Sequence, residues 1–444
     1  MLSAILIVVV FLVLAGLMMS RKIPALLALP IMAVAIGLIA GVSAGLPWQA
    51  GPPPEGTDPK QVRSLYQFIF EVILTDGAAR LAKPIMFAVF GSVLSQVVMR
   101  QGIAQRIVRV AAEYAGDRKM LLAVIMTAAI AMAFVSLTGL GAVIMIGSLA
   151  LPIMIGSGLS PSMSACLMLF AISIGGVFNG ANVGFFAELF KVDKADVLGF
   201  AVAFGSLLAL TTLAFIFIES RHDKKRFAWA LVDEPISKTV PLIALFTPIV
   251  PIALMLPFTL NWPIIPAFLV GIIWGLVTTE PARLIPNLTA CILEGLKDVS
   301  PVIGLFIGIG MTLNAMMDPT TSAIMAPFIT AVLPHSTVAY IAFFTLLAPL
   351  SLYRGPFNAF GLGAGFASLV MASGQLPPAA VMSAFLVVGQ MQGICDPTNT
   401  HNVWIAQFTH GSTEDYLKRT LPYVWGFILI ALIYAVAVRG VMHP

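Results

Sequence analysis

Charge is what this chain has least of. Its 24 Lys and Arg and 20 Asp and Glu make up 10% of 444 residues, against about 25% in soluble globular proteins. With 59% of the residues hydrophobic, so few charged side chains cannot cover a soluble globule of this length. The net charge of +4 is small and sits in short loops, which argues against a nucleic-acid partner. Cysteine is equally scarce. Cys166, Cys291 and Cys395 all fall in apolar segments without Cys-x-x-Cys spacing, so neither a disulfide framework nor a thiolate metal site is expected. There is no Walker sequence, Gly-x-Ser-x-Gly, His-Glu-x-x-His or dinucleotide fingerprint. ATP-driven transport and the common enzyme chemistries therefore lack support, and no cofactor or metal is expected. A membrane-embedded enzyme or polyprenyl-handling protein would need converging catalytic groups that the sequence does not offer. No basic residue precedes the first apolar stretch and no small-x-small site follows it, so it reads as a retained span.

What is present is apolar sequence in lengths that cross a bilayer, about 20 residues each. Such stretches run over 2–19, 24–46, 81–99, 163–190, 197–219, 239–257, 263–279, 300–316, 378–410 and 420–438. Two more blocks, 120–157 and 338–375, are interrupted near the middle by Ser, Gly and polar residues. Each is expected to form two half-length helices meeting at a tip, a re-entrant hairpin. Segments 64–80 and 282–298 carry charges at helical spacing and are expected to lie in the interface. With the hairpins non-crossing, sixteen of the 24 Lys and Arg fall on one side, among them Lys22, Arg100, Lys119, Arg221, Lys224 and Arg419. Seven fall on the other: Lys60, Arg63, Arg80, Lys83, Lys191, Lys194 and Arg439. The positive-inside rule then puts the linker 220–238 in the cytoplasm, with 317–337 and both termini outside.

The two halves, 1–219 and 239–438, repeat each other in order. Ser136-Leu-Thr138 recurs as Ser351-Leu-Tyr353, Ser157-Gly158 as Ser373-Gly374, and Gly176-Val-Phe-Asn179-Gly-Ala-Asn182 as Gly393-Ile-Cys-Asp396-Pro-Thr-Asn399. Offsets that drift slowly, from 215 to 217, are what duplication with small loop changes leaves. Five crossings per half make the second copy upside down relative to the first. The expected fold is an all-α polytopic membrane protein of two inverted repeats, each with a re-entrant hairpin and a broken helix. Secondary transporters bind substrate and coupling ions where such discontinuous helices meet.

Polar residues are costly in hydrocarbon, so their positions mark where protein or water replaces lipid. No charged residue lies between Lys119 and Glu188, and only Arg354 lies between Asp318 and Asp396. Against that background four clusters are candidate substrate-binding elements. The first tip offers Ser136, Thr138 and Gly139, where a helix start points free N–H groups at a carboxylate. The second tip offers Ser351, Arg354 and Asn358. Arg354 keeps its charge and needs an anion, either a ligand bound bidentately or Asp396. The first broken span offers Asn179 and Asn182 among three glycines. The second offers Thr398 and Asn399, with Asp396 and His401 as the titratable pair for ion coupling. Pro397 makes that second break nearly obligatory. Glu188 lies near the end of its span, where a structural role outweighs a place on the path.

The hairpin tips at 136–141 and 351–358, the broken spans, Ile172-Ser-Ile-Gly175-Gly-Val-Phe-Asn179 and Lys22-Ile-Pro24-Ala-Leu-Leu-Ala-Leu resemble the ion transporter superfamily. That group includes citrate–metal/proton symporters, gluconate permeases, anaerobic dicarboxylate carriers and divalent anion/sodium symporters. Ser-Leu-Thr and Ser-Leu-Tyr stand where the last of these carry Ser-Asn-Thr. The resemblance implies a homodimeric carrier in the bilayer, with an elevator mechanism that moves both hairpins and both broken spans past a scaffold. The function expected is H⁺- or Na⁺-coupled transport of a small organic anion, a carboxylate such as citrate, a dicarboxylate or a sugar acid. The expected location is the inner membrane of a bacterial cell. The competing expectation is a cation/proton antiporter with Asp396 as ion carrier, no organic substrate, and Arg354 as a structural counter-ion.

Overall fold

The structure is a computed structural model that describes residues 2–20, 22–49, 64–116, 118–221 and 240–442. The linker 220–238, Lys60 and Arg63 therefore lie largely or wholly outside the described residues, as do the side chains of Met19 and Arg354. Among the described residues every regular element is helical, and eight helical segments are long and apolar enough to cross a membrane. This is the polytopic all-α fold that the composition requires.

In the first half α1 (Leu2–Met19) and α2 (Ala25–Ser43) form a pair. A π-helical stretch, Gln67–Asp76, runs through α3 (Gly77–Ala79) into α4 (Ala82–Arg100). Then come α5 (Ile103–Ala115), α6 (Lys119–Phe134), α7 (Gly139–Gly156), α8 (Pro161–Phe178), α9 (Gly180–Phe190) and α10 (Lys194–Ser220). The second half has α11 (Val250–Met255), α12 (Ile264–Thr279), α13 (Leu284–Met317), α14 (Pro319–Val332), α15 (Thr337–Leu346), α16 (Leu362–Ser373), α17 (Pro378–Cys395), α18 (Thr400–Phe408) and α19 (Thr413–Ala437).

Several boundaries differ from the sequence expectation, each for a local reason. Segments 64–80 and 282–298 are not separate interfacial helices: they run on into the next span, α13 being one helix of 34 residues. The amphipathic pattern is real, but its apolar face packs on protein. Phe68, Ile69 and Ile73 are buried, and a β-carbon at Gly37 of α2 would overlap the Ile73 side chain. Residues 239–257 are not one helix. Pro241, Pro248 and Pro251 limit them to a 3-10 turn, Leu242–Phe246, and the six-residue α11. The expected loop 317–337 contains α14, capped by Asp318 Oδ1, which accepts from Thr320 N at 3.0 Å. The arms of the first hairpin are 16 and 18 residues, longer than half-length. In the second, α15 gives way to a 3-10 turn, Ala348–Arg354, before α16.

Lipid offers no hydrophobic drive between helices, so close approach and interhelical hydrogen bonds hold the bundle. The antiparallel pair of long helices shows both. A β-carbon at Gly77 would sit 2.7 Å from Met311 Cα. Ser92 Oγ donates to Gly295 O at 2.9 Å, and Arg80 Nη1 to Asn314 Oδ1 at 2.5 Å. α2 packs on α13 and α12 on α4, so each half's second span rests on the other half's long helix. The last spans, α10 and α19, run antiparallel with an ion pair near each end: Glu219 Oε2–Arg419 Nε at 2.6 Å and Asp196 Oδ1–Arg439 Nη2 at 3.9 Å. Those two ends also sort the basic residues. Lys83 and Lys191 gather beside Lys194, whereas Lys119 lies beside Ser220, about 40 Å away along the 27-residue α10.

Candidate functional site

Four interruptions in otherwise regular helices bear the polar candidates. α8 ends at Asn179, whose Oδ1 accepts from Ala181 N at 3.1 Å and so caps α9. Asn182 Nδ2 donates to Gly176 O at 2.9 Å, a second bond to a carbonyl that also accepts from Asn179 N at 3.2 Å. α17 ends at Cys395, because Pro397 has no N–H to continue the ladder. Fully buried Asp396 accepts at Oδ1 from Thr398 N at 2.8 Å and from Thr398 Oγ1 at 2.7 Å. Asn402 Nδ2 donates to Ile394 O at 3.1 Å, while its buried Oδ1 has no hydrogen-bond partner. His401 Nε2 lies 3.2 Å from Gly393 O and 3.1 Å from Asn399 Nδ2.

The tips are built differently. Gly139 opens α7 at φ +81°, a conformation that favours glycine. Thr138 N donates to Ser95 Oγ of α4 at 3.3 Å, and Ser136 is buried beneath the turn. No side chain caps the start of α7. At the second tip Tyr353 is left-handed, at φ 55°. Buried Asn358 accepts at Oδ1 from Phe360 N at 3.0 Å, and the buried Ser351 Oγ has no hydrogen-bond partner.

These four places are neighbours in space. A β-carbon at Gly175 would lie 2.7 Å from Phe134 Cβ, so the first break abuts the first tip. One at Gly393 would lie 2.7 Å from Ser173 Oγ, so the helices that lead into the two breaks, α17 and α8, touch each other. Phe185 of α9 stacks on Phe360, just beyond the second tip, with ring centroids 4.7 Å apart. A cavity of about 520 Å³ completes the set: it is lined by Leu140 of the first tip, Tyr353 of the second, and Thr398 and Thr400 of the second break. Its remaining walls are the α1–α2 corner, with Ile23, Pro24 and Ala25, and α18, with Val403, Trp404 and Gln407.

Of the sequence candidates, Thr398 lines this cavity directly. Ser136, Thr138 and Gly139 lie in the turn just before Leu140, and Arg354 follows Tyr353, its side chain being outside the described atoms. Asn179 and Asn182 at the first break and Asn358 at the second tip hold backbone rather than facing this cavity. Trp404 and Gln407 went unnoticed in the sequence. The available signal was an indole and an amide one helical turn apart, just after a polar break. Glu188 is paired with Lys83 at 3.0 Å.

Two broken spans and two helix–turn–helix units thus pack together, with both tips and the second break bounding one cavity. No family model and no curated protein matches the chain. Among solved structures the chain is similar to the Alcanivorax borkumensis YdaH transporter, with a TM-score of 0.64 and 16% identity over 94% of this chain and 100% of that one. It is similar also to Neisseria gonorrhoeae MtrF, described within a class of antimetabolite efflux pumps, with a TM-score of 0.63 and 14% identity over 93% and 94%. At these identities the likeness is one of fold, and the chain has the fold of these membrane transporters.

Proposed function

We propose that the protein is a secondary active transporter of a small organic anion, built as two inverted repeats. The observation that carries this reading is the 520 Å³ cavity bounded by both tips and the second break, with the helix leading to the first break packed against the first tip. Inversion is supported by the antiparallel pairing of α10 with α19, the last spans of the two halves. The first turn of α7, which no side chain caps, and the fixed charge of Arg354 are the groups suited to a carboxylate. Tyr353 and Trp404, with the apolar corner at Ile23–Ala25, suit a substrate with an apolar body better than one charged all round. Asp396 is the coupling residue for H⁺ or Na⁺, with His401 and Asn399 beside it. Movement is of the elevator kind: hairpins and broken spans travel past the α2–α4–α12–α13 scaffold. The working form is a homodimer in a bacterial inner membrane, with both termini outside the cytoplasm.

Uptake into proteoliposomes from a panel of labelled carboxylates, with Na⁺ and pH gradients imposed separately, tests this reading. Accumulation of at least one anion under one gradient is expected. Cation/proton exchange without uptake of any anion would instead favour the antiporter reading, in which buried Asp396 carries the ion and Arg354 is only its counter-charge.

A further inference from the structure

A second cavity, of about 600 Å³, lies where the repeat places a mate for the first. α9, which follows the first break, stands in for α18, and the α11–α12 corner at Pro263 and Ile264 stands in for the α1–α2 corner. The mates differ in reach. The first cavity touches its break at Thr398 and Thr400, whereas the second stops at Gly184, a full turn of α9 short of Asn179.

What stops it is α9 seated on α4 and α12. The Phe87 ring occupies the notch left by Gly184, so a β-carbon there would overlap the ring and come 2.8 Å from Ile264 Cδ1. One turn closer to the break, a β-carbon at Gly180 would lie 2.8 Å from Phe268 Cζ. Ties cross the same junction at the mouth: Lys83 Nζ of α4 to Glu188 Oε1 of α9 at 3.0 Å, and Lys194 Nζ to Trp262 O at 2.6 Å. Lys191 and Asp193 are the other charged groups facing that mouth.

We propose that α9 is the gate of a second access route to the breaks, closed in this structure by Phe87 in the Gly184 notch and latched by Lys83–Glu188. The proposal rests on the transport reading above and adds the device that decides which route is open. Two packed rings and an ion pair give such a junction discrete seated and unseated arrangements rather than gradual loosening.

The test uses the full-length protein in liposomes, with one cysteine introduced behind the seal (Ala181→Cys) or in the first cavity (Val403→Cys). The three native cysteines are buried. A charged methanethiosulfonate reagent reports access. Gly184→Ala, which cannot seat against Phe87, should speed labelling at 181 by about tenfold or more and slow it at 403. Adding Phe87→Ala should reverse both changes. Lys83→Gln and Glu188→Gln, at an exposed ion pair and safe for folding, should shift the two rates by about two- to fivefold in the same opposed sense. The exchange Lys83→Glu with Glu188→Lys should restore them. Faster labelling at both sites together would mean loosened packing and would overturn the gate. If substrate or ion gradients drive opposed changes at 181 and 403 but the gate variants do not, the gate fails and the transport reading stands. If nothing ever moves the two rates in opposition, both fail.

Discussion

Asp396→Asn separates holding the break from using it. In the native protein one carboxylate oxygen accepts two hydrogen bonds from Thr398, in a fully buried position. An asparagine Oδ1 can accept the same two bonds, so the turn into α18 should survive. Each bond would fall from the charge-assisted range, about 1.5–3 kcal/mol, to the neutral range, about 0.5–1.5 kcal/mol, a loss of roughly 2–3 kcal/mol for the pair. Against this, a neutral amide avoids the desolvation cost of a buried ion, which is itself several kcal/mol. The terms oppose and are of similar size, so the melting temperature should move by no more than a few degrees. Coupling has no such compensation, because an amide neither titrates nor holds a cation by charge. Purified Asp396→Asn should therefore bind substrate and exchange internal for external substrate, yet fail to accumulate it under an imposed Na⁺ or pH gradient. Liposome uptake run in exchange and net-uptake modes measures both. Concentration of substrate with unchanged pH and Na⁺ dependence would refute the assignment and shift the ion to neutral groups around Asn179, Asn182 and Asn399.

Arg354→Lys should keep the fold and lose bidentate geometry, costing about 1.5–3 kcal/mol and weakening apparent affinity at least tenfold; unchanged transport in both Arg354→Lys and Arg354→Gln would put the residue outside the site. Gly147→Ala should crowd the cavity wall, since its β-carbon would lie 2.8 Å from Trp404 Cη2 and 2.9 Å from Met168 Cε. Trp404 would be pressed toward the cavity at an overpacking cost of about 1–3 kcal/mol. A raised KM for uptake checks this, and a fall in Tm with unaltered KM would show that Trp404 does not bound the substrate. For topology, a cysteine at position 224 should resist an impermeant reagent in intact cells and label rapidly after lysis; rapid labelling in intact cells would reverse the orientation drawn from the charge count.

Much of this molecule is written in local sequence, because lipid punishes any backbone group that the helix itself does not satisfy. Span after span is therefore legible from apolar length alone, and Pro397 and the Gly175–Asn182 run announce the two breaks within a few residues. The scarcity of charge in turn made Arg354 and Asp396 conspicuous. Packing decided what periodicity could not. The amphipathic faces of 64–80 and 282–298 look the same to a sequence whether they meet headgroups or a neighbouring helix; only the packing of Gln67–Asp76 on α2 and α13, and of α13 on α4, shows that they meet protein. The same holds for Asn179 and Asn182, whose amides close local hydrogen bonds at the break, and for Trp404 and Gln407, which gain a cavity only because the α1–α2 corner stands opposite. Lys83 and Glu188 belong to different helices with no shared pattern. Their meeting, like the seating of Phe87 in the Gly184 notch, depends on how α9 lies across α4, and that depends on close contact between distant segments rather than on the order of residues in either one.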